Sequence, residues 1–169
     1  QSSPVSIDLS ALNVDIGANG SCQVTRSSIG VNLGTVNKAE FKGKTTVAGA
    51  AQTFSIPVFC STPADIRIGF FGVTADPGIG DALALAQVVG AASGVGIKLS
   101  YGNNSAPAPS AGTPIKINEA SNLPVLKHIT ASSAATAENI NFCARYVQTG
   151  DRVTPGRANG LATFALEYN

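Results

Sequence analysis

The chain has 169 residues, enough for one domain with a sizeable core. Hydrophobic residues make up 44% of it and charged residues only 12%, about half the usual share, so small and uncharged polar residues must cover much of the surface. The net charge is +1 and the basic residues are scattered, which excludes the basic stripe that a nucleic acid partner requires.

The sequence contains no segment that is long and apolar enough to cross a bilayer, which takes roughly 18 residues. The Ala-rich stretch from Leu83 to Val95 is interrupted by Gln87 and Gly90. We therefore expect no direct insertion into a membrane. No signal peptide is visible at Gln1, and we expect a mature, secreted form from which a leader has been removed.

Alternation of apolar and polar residues with a period of two recurs along the whole chain and predicts short β-strands. The alternating apolar positions are, in chain order, Val5, Ile7 and Leu9; Leu12, Val14 and Ile16; Ile29, Val31 and Leu33; Phe54, Ile56, Val58 and Cys60; Ile66, Ile68 and Phe70; Val95, Ile97, Leu99 and Tyr101; Ile115 and Ile117; Ile140, Phe142, Ala144 and Tyr146; Ala162, Phe164, Leu166 and Tyr168. Turn clusters such as Thr154-Pro155-Gly156 separate these runs. Strands at this spacing predict an all-β sandwich. The one helix candidate is the Ala/Leu-rich segment around residues 81–89.

The start of the chain has an unusual pattern. The alternation at residues 5–9 stops at Ser10 and Ala11, and it resumes at Leu12 in the opposite phase. One interpretation is an ordinary first strand with a bulge. The other, which we adopt as the expectation, is a detachable arm with an apolar face and nothing of its own to pack against.

Three cysteines are present, and their spacing matches no metal-binding or redox motif. Cys22 and Cys60 flank strand-like segments, whereas Cys143 lies inside one. The simplest interpretation is a disulfide between Cys22 and Cys60 plus one odd thiol, which implies an oxidising compartment. Alternation places Cys143 on the face opposite Phe142 and Ala144, so we expect it to point outward. An inert thiol and a substituted or intermolecularly paired thiol both remain open.

The residues of common catalytic and metal sites are missing or isolated. His128 is the only histidine and no Gly-x-Ser-x-Gly motif accompanies it, so a surface position is expected. Asp76 and Asp81 lie in a Gly/Pro-rich loop without the run of oxygen ligands that Ca²⁺ requires, and we interpret them as turn formers. We expect no enzymatic activity, no cofactor and no metal.

Several segments carry motifs of distinctive spacing. At the C-terminus, Tyr168 is penultimate and Gly156 is fourteenth from the end, with small or apolar residues at every even position between them: Ala158, Gly160, Ala162, Phe164 and Leu166. Upstream, residues 141–146 read Asn-Phe-Cys-Ala-Arg-Tyr. These motifs resemble the subunits of chaperone–usher fimbriae, of the type 1 pilin kind, whose Phe-x-Ala-Arg-Tyr strand is similar to residues 142–146. Residues 31–34, 70–73 and 94–99 also match the family in kind and order, so the resemblance covers nearly the whole chain.

The resemblance implies an immunoglobulin-like β-sandwich that lacks its last strand and is completed by a donor strand. Residues 1–11 would be the N-terminal donor-strand extension and residues 12–169 the pilin domain. The implied pocket-filling residues of the donor strand are Val5, Ile7 and Leu9, with Leu12. The implied strand that borders the groove and pairs with a periplasmic chaperone carries Gly156, Ala158, Gly160, Ala162, Phe164, Leu166 and Tyr168.

The implied function is that of a structural subunit of a bacterial surface fimbria, which polymerises by donor-strand exchange and supports adhesion. Its partners would be other copies or related subunits, together with a periplasmic chaperone and an outer-membrane usher during assembly. Its location would be the extracellular fimbria, reached through the periplasm. The alternative is a tip adhesin or adaptor that binds a host glycan or receptor.

Overall fold

The computed structural model describes residues 6–12 as backbone, and residues 21–26, 28–75, 81–131 and 133–169 in full. The described part contains ten strands and a single 3₁₀ turn, Lys38–Glu40. The strands are β1 (Ser6–Leu12), β2 (Cys22–Val24), β3 (Ser28–Asn32), β4 (Val47–Cys60), β5 (Ala64–Phe71), β6 (Ala82–Ala84), β7 (Val95–Tyr101), β8 (Lys127–Ile129), β9 (Ala137–Gln148) and β10 (Gly160–Tyr168).

The strands form two five-stranded sheets. The order in sheet A is β3-β1-β10-β5-β8, and the order in sheet B is β2-β4-β9-β7-β6. The inward face of each sheet carries the alternating apolar residues, and the two faces enclose one core. The predicted all-β sandwich is confirmed.

Aromatic side chains at the centre of the core join the two sheets. Phe70 of sheet A packs edge-on against Phe142 of sheet B, with 5.0 Å between the ring centroids. Phe54 stacks on Phe142 at 5.4 Å, and Phe164 lies 6.3 Å from Phe70. Since aromatic pairs add about 0.5–1.5 kcal/mol to the free energy of area burial, this cluster fixes how sheet A sits on sheet B.

The helix expected around residues 81–89 is wrong. Residues 82–84 form β6, which pairs with β7, and Thr74 bridges to Leu83. Leu83 is fully buried, because it points into the core between the sheets. Alanine favours helix only weakly, and pairing with an exposed strand edge outweighs that preference here.

Two further expectations about strands are corrected. Ile115 and Ile117 are buried, but they lie in a loop that is attached to β7 by a bridge between Pro114 and Ser100. The predicted break at Ser10 and Ala11 is absent, since β1 runs through both residues to Leu12. Residues 13–16, expected to be part of another strand, lie outside the described residues.

Candidate strand-binding groove

One wall of the candidate site is β10. Its side chains alternate between the core and the outer face of sheet A, and the buried positions are those expected from the sequence: Gly160, Ala162, Phe164, Leu166 and Tyr168. Ala158, just before the strand, is also buried, whereas Gly156 is half-buried in the preceding loop. The apolar face of the C-terminal segment is therefore confirmed as a core face.

The opposite wall is β3, in which Ile29 and Val31 are buried and Ser28, Gly30 and Asn32 are exposed. The alternation of these residues predicted the strand. It did not predict the role of β3 as a wall, because a periodic pattern says which face is buried but not which strand lies next to it.

Between the two walls lies β1, which is hydrogen-bonded to both. Ile7 is level with Gly160 of β10 and Val31 of β3, and Leu9 is level with Ala162 and Ile29. Ala11 is level with Phe164. The positions of β1 paired with core-facing residues are thus Ile7, Leu9 and Ala11.

Two of the four expected pocket-filling residues, Ile7 and Leu9, are therefore paired with core-facing residues on both neighbouring strands. Leu12 is paired with Ala165, a position on the outer face of β10, so its register is out of phase with Ile7 and Leu9. Val5 lies outside the described residues. The assignment of pocket-filling residues stays a prediction, as does the division of the chain at residue 11.

The direction of β1 distinguishes it from the other strands. It runs parallel to β10, whereas every other pairing between described strands is antiparallel. In sheet A, β1 is also the only described strand that links β3 to β10. Without β1 the sheet would be divided, and both β3 and β10 would present unpaired backbone groups and an uncovered core edge.

Two glycines let the segment before β7 pack closely against the loop between β9 and β10. Gly94 has a φ of +74°, and its carbonyl oxygen accepts hydrogen bonds from the amides of Thr149 (2.8 Å) and Gly150 (3.2 Å). A Cβ at Gly94 would lie 1.9 Å from the carbonyl oxygen of Arg152. One at Gly156 would lie 2.5 Å from the backbone nitrogen of Ala92. Only glycine permits these close backbone approaches.

Tyr146 of β9 supports the segment that follows β3. Its hydroxyl donates a hydrogen bond of 3.0 Å to the carbonyl oxygen of Gly34, and its ring meets Phe41 edge-on at 6.4 Å. Burial raises the pKa of Tyr146, and burial also raises the pKa of Tyr101. Both phenols therefore stay neutral at physiological pH, and the Tyr146 hydroxyl is available as a donor.

The structure contains the expected disulfide between Cys22 and Cys60. The two residues are direct cross-strand partners in β2 and β4, with 4.0 Å between their Cα atoms. A bridge that closes 38 residues of chain is worth roughly 4 kcal/mol on the chain-entropy estimate. It ties β2, the first strand after residues 13–20, to the core. Cys143 is a half-buried free thiol on the outer face of β9, as its alternation predicted.

The described residues offer little to catalysis or metal binding. His128 lies in β8 with its side chain about half exposed, and its Nδ1 contacts the carboxylate of Asp65. Among these residues no group of three or more His, Cys, Asp or Glu side chains could hold a metal ion. In the same part of the chain, no helix has the length and apolar character needed to span a membrane.

Comparisons with known proteins find chains that are similar to this one. The crystal structure of an antigen and type I fimbria protein of Burkholderia pseudomallei matches with a TM-score of 0.59 and 27% identity, over 99% of both chains. The F17c-G fimbrial adhesin of Escherichia coli is 26% identical over 152 residues. The F17a-G fimbrial adhesin of the same organism gives the same figures. The match takes in 88% of this chain but only 41% of either adhesin's length.

A family model described as "Fimbrial protein" matches residues 11–169, which is nearly the whole chain. Its members are components of fimbriae and not enzymes, in agreement with the all-β fold. The chain belongs to the Fimbrial protein family.

Proposed function

We propose that this chain is a structural subunit of a bacterial surface fimbria and polymerises by donor-strand exchange. In this exchange, β1 of one copy occupies the groove between β3 and β10 of another. The observation that carries the proposal is the position of β1, which completes sheet A while running parallel to its neighbour β10. A strand attached to its own domain through residues 13–21 alone can be supplied equally well by a second copy.

The energetics of the register support exchange. Ile7 and Leu9 are level with core-facing residues on both neighbouring strands, and burial of each aliphatic side chain is worth roughly 1.5–3 kcal/mol. Backbone hydrogen bonds to both strands add specificity for an extended segment. Because the same strand completes the fold and joins the copies, subunit stability and assembly become one linked quantity.

An unoccupied groove would be a hazard before assembly, since open strand edges and an uncovered core promote aggregation. We infer that a strand of a periplasmic chaperone covers the groove against β10, and that an outer-membrane usher receives the covered subunit. The residues of the chaperone-pairing face would be Gly156, Ala158, Gly160, Ala162, Phe164, Leu166 and Tyr168. The assembled fibre would then lie outside the cell.

A pair of adjacent substitutions in β1 tests the proposal. Leu9→Asp places a carboxylate at a core-facing register position, where an unpaired charge is costly to bury. Ser10→Asp adds the same charge one residue later, level with Thr163 and Ser28 on the outer face. We expect no fibres from Leu9→Asp and normal fibres from Ser10→Asp, counted by electron microscopy of cells that produce each variant.

Fibres of normal number and length from Leu9→Asp would contradict the proposal, because the side chain at position 9 would then not enter a groove. Loss of fibres in both variants, with both proteins secreted, would show that β1 is needed for a reason other than its apolar face.

An adhesin role is the second candidate, and the observation that favours it is the similarity to fimbrial adhesins. The matched region is 41% of the adhesin's length, so this chain corresponds to one part of such a protein. Binding of the purified chain to a glycan array would support a receptor-binding role. A fimbria that loses the chain but keeps its length and its glycan binding would argue against both roles.

A further inference from the structure

A cleft of about 380 Å³, which we call the polar cleft, opens at the end of sheet B where β9 ends. Lys38 and Phe41, in the loop between β3 and β4, form one wall, and residues 151–154, which follow β9, form the other. Gln148, the last residue of β9, forms the floor. The volume lies in the range of small-molecule sites, about 300–1,000 Å³.

Hydrogen bonds hold both walls of the polar cleft to its floor. Gln148 is buried, and its Oε1 accepts a hydrogen bond of 3.0 Å from the amide of Gly43. Its Nε2 donates one of 2.8 Å to the carbonyl oxygen of Gly150. Backbone hydrogen bonds of 3.1 and 3.2 Å between Ser93 and Thr154 attach the second wall to the segment before β7. The cleft is therefore shaped before a ligand arrives, which lowers the entropic cost of binding.

One cation lines each wall of the cleft. Lys38 and Arg152 are both exposed, and neither forms an ion pair with another residue in the described part of the chain. The two segments that build the cleft, residues 38–44 and 148–154, together contain four cations and two carboxylates, whereas the net charge of the whole chain is only +1. This local excess of positive charge favours an anionic ligand.

The other groups that line the cleft narrow the class of anion. The carboxylate of Asp151 can accept hydrogen bonds from hydroxyl groups, but it repels a ligand with several negative charges. Phe41 is half-buried and contributes an apolar surface. The planar guanidinium of Arg152 can bind a carboxylate through two parallel hydrogen bonds. A ligand with one carboxylate, several hydroxyls and an apolar face satisfies all of these groups, and an acidic sugar has this chemistry.

We propose that the polar cleft binds an acidic sugar of the uronic acid class. Lys38 and Arg152 hold the carboxylate, Asp151 accepts hydrogen bonds from the hydroxyls, and Phe41 packs against the apolar face of the ring. The residues that line the cleft lie outside β1, β3 and β10, so this inference does not depend on the proposed strand exchange.

Titration of the purified full-length chain with D-glucuronate tests the proposal. D-Glucose, which lacks the carboxylate, and inorganic sulfate, which lacks the hydroxyls, are the control ligands. We expect D-glucuronate to bind with a dissociation constant on the order of 1 mM, as is usual for a ligand of this size. NMR shifts of backbone amides measure the affinity, and the largest shifts should fall at Gln148 and at residues 151–154.

Three substitutions locate the binding site. Lys38→Gln and Arg152→Gln each remove a cation from the cleft, and Lys42→Gln, the matched control, removes one from an exposed position in the same loop that does not line it. All three positions are exposed, so each variant should fold as the wild type does. We expect D-glucuronate to bind at least about tenfold more weakly to the two cleft variants, because each loses a charged hydrogen bond, and normally to Lys42→Gln.

Two results would overturn the cleft as the site: no binding of D-glucuronate to the wild type, or equal binding to the wild type and both cleft variants. D-Glucose that binds as tightly as D-glucuronate would show that the two cations take no part. Inorganic sulfate that binds as tightly would overturn the assignment to a sugar. Each of these results leaves the proposed strand exchange standing, because the titration involves no fibres.

Discussion

Replacement of Phe164 by aspartate is expected to prevent folding and to leave almost no subunit available for assembly. Phe164 is fully buried on β10, and its ring lies 6.3 Å from that of Phe70. Truncation of such a side chain alone costs about 3–5 kcal/mol, and an unpaired buried carboxylate adds several more. The sum approaches or exceeds the roughly 5–15 kcal/mol by which a domain is stable.

The neighbouring position provides the control for this prediction. Ala165 lies on the outer face of the same strand, so Ala165→Asp adds the same charge without burying it in the core. The amount of soluble protein in the producing cells, measured by immunoblot, should fall to near zero for Phe164→Asp and stay close to wild type for Ala165→Asp. Equal amounts of the two proteins would mean that Phe164 does not face the core.

Gly94→Ala is the second substitution expected to have a large effect. The φ of +74° disfavours any side chain by about 1–2 kcal/mol, and a Cβ 1.9 Å from the carbonyl oxygen of Arg152 forces the backbone to move. Gly112 has a φ of +90° with open space around it, so Gly112→Ala carries only the conformational cost.

The difference in stability between these two variants measures the cost of a Cβ at the close backbone approach of Gly94 to Arg152. We expect Gly94→Ala to lower the free energy of unfolding by at least about 2 kcal/mol more than Gly112→Ala does. Denaturant unfolding of both purified proteins measures this. Similar values for the two variants would show that the loop between β9 and β10 can shift at Arg152 at little cost.

The sequence was most informative where one face of a strand is buried and the other is exposed. In β10, the even-numbered residues from Gly160 to Tyr168 alternate without interruption, and the structure buries each of them. Position 143 follows the same rule, since Phe142 and Ala144 are buried and Cys143 between them is not. A period of two fixes the facing of every residue in such a strand.

The pattern was less informative where pairing depends on distant residues. Residues 82–84 are strand because β7 offers them an edge, and nothing local to the Ala-rich segment indicates this. The break at Ser10 and Ala11 was inferred from a change of phase at Leu12, yet backbone pairing with both β3 and β10 continues through Ser10. Backbone hydrogen bonds do not depend on the polarity of the side chain, so such a strand can cross a polar or small residue.

The candidate site was only partly visible in the sequence for a similar reason. The apolar face of β10 could be predicted from its alternation, and the alternation at Ile7 and Leu9 led to their prediction as pocket-filling residues. The wall formed by β3 and the parallel direction of β1 are properties of the sheet order. The sequence also contained no sign that Val73 and Leu161 line one cavity, because they are far apart in the chain and only the fold brings them together.

The central claim is that the groove accepts a strand from another molecule. The most direct measurement uses the full-length Leu9→Asp chain, whose own β1 is impaired, and a synthetic peptide with the wild-type sequence of residues 1–12. At a peptide concentration 100 times the dissociation constant, binding stabilises the folded state by about 2.7 kcal/mol, which corresponds to a rise in Tm of about 5–10 °C for a chain of this size. A peptide that itself carries Leu9→Asp should give no rise. If the wild-type peptide leaves the Tm unchanged at every concentration, the groove does not accept a strand in trans, and assembly by donor-strand exchange is contradicted.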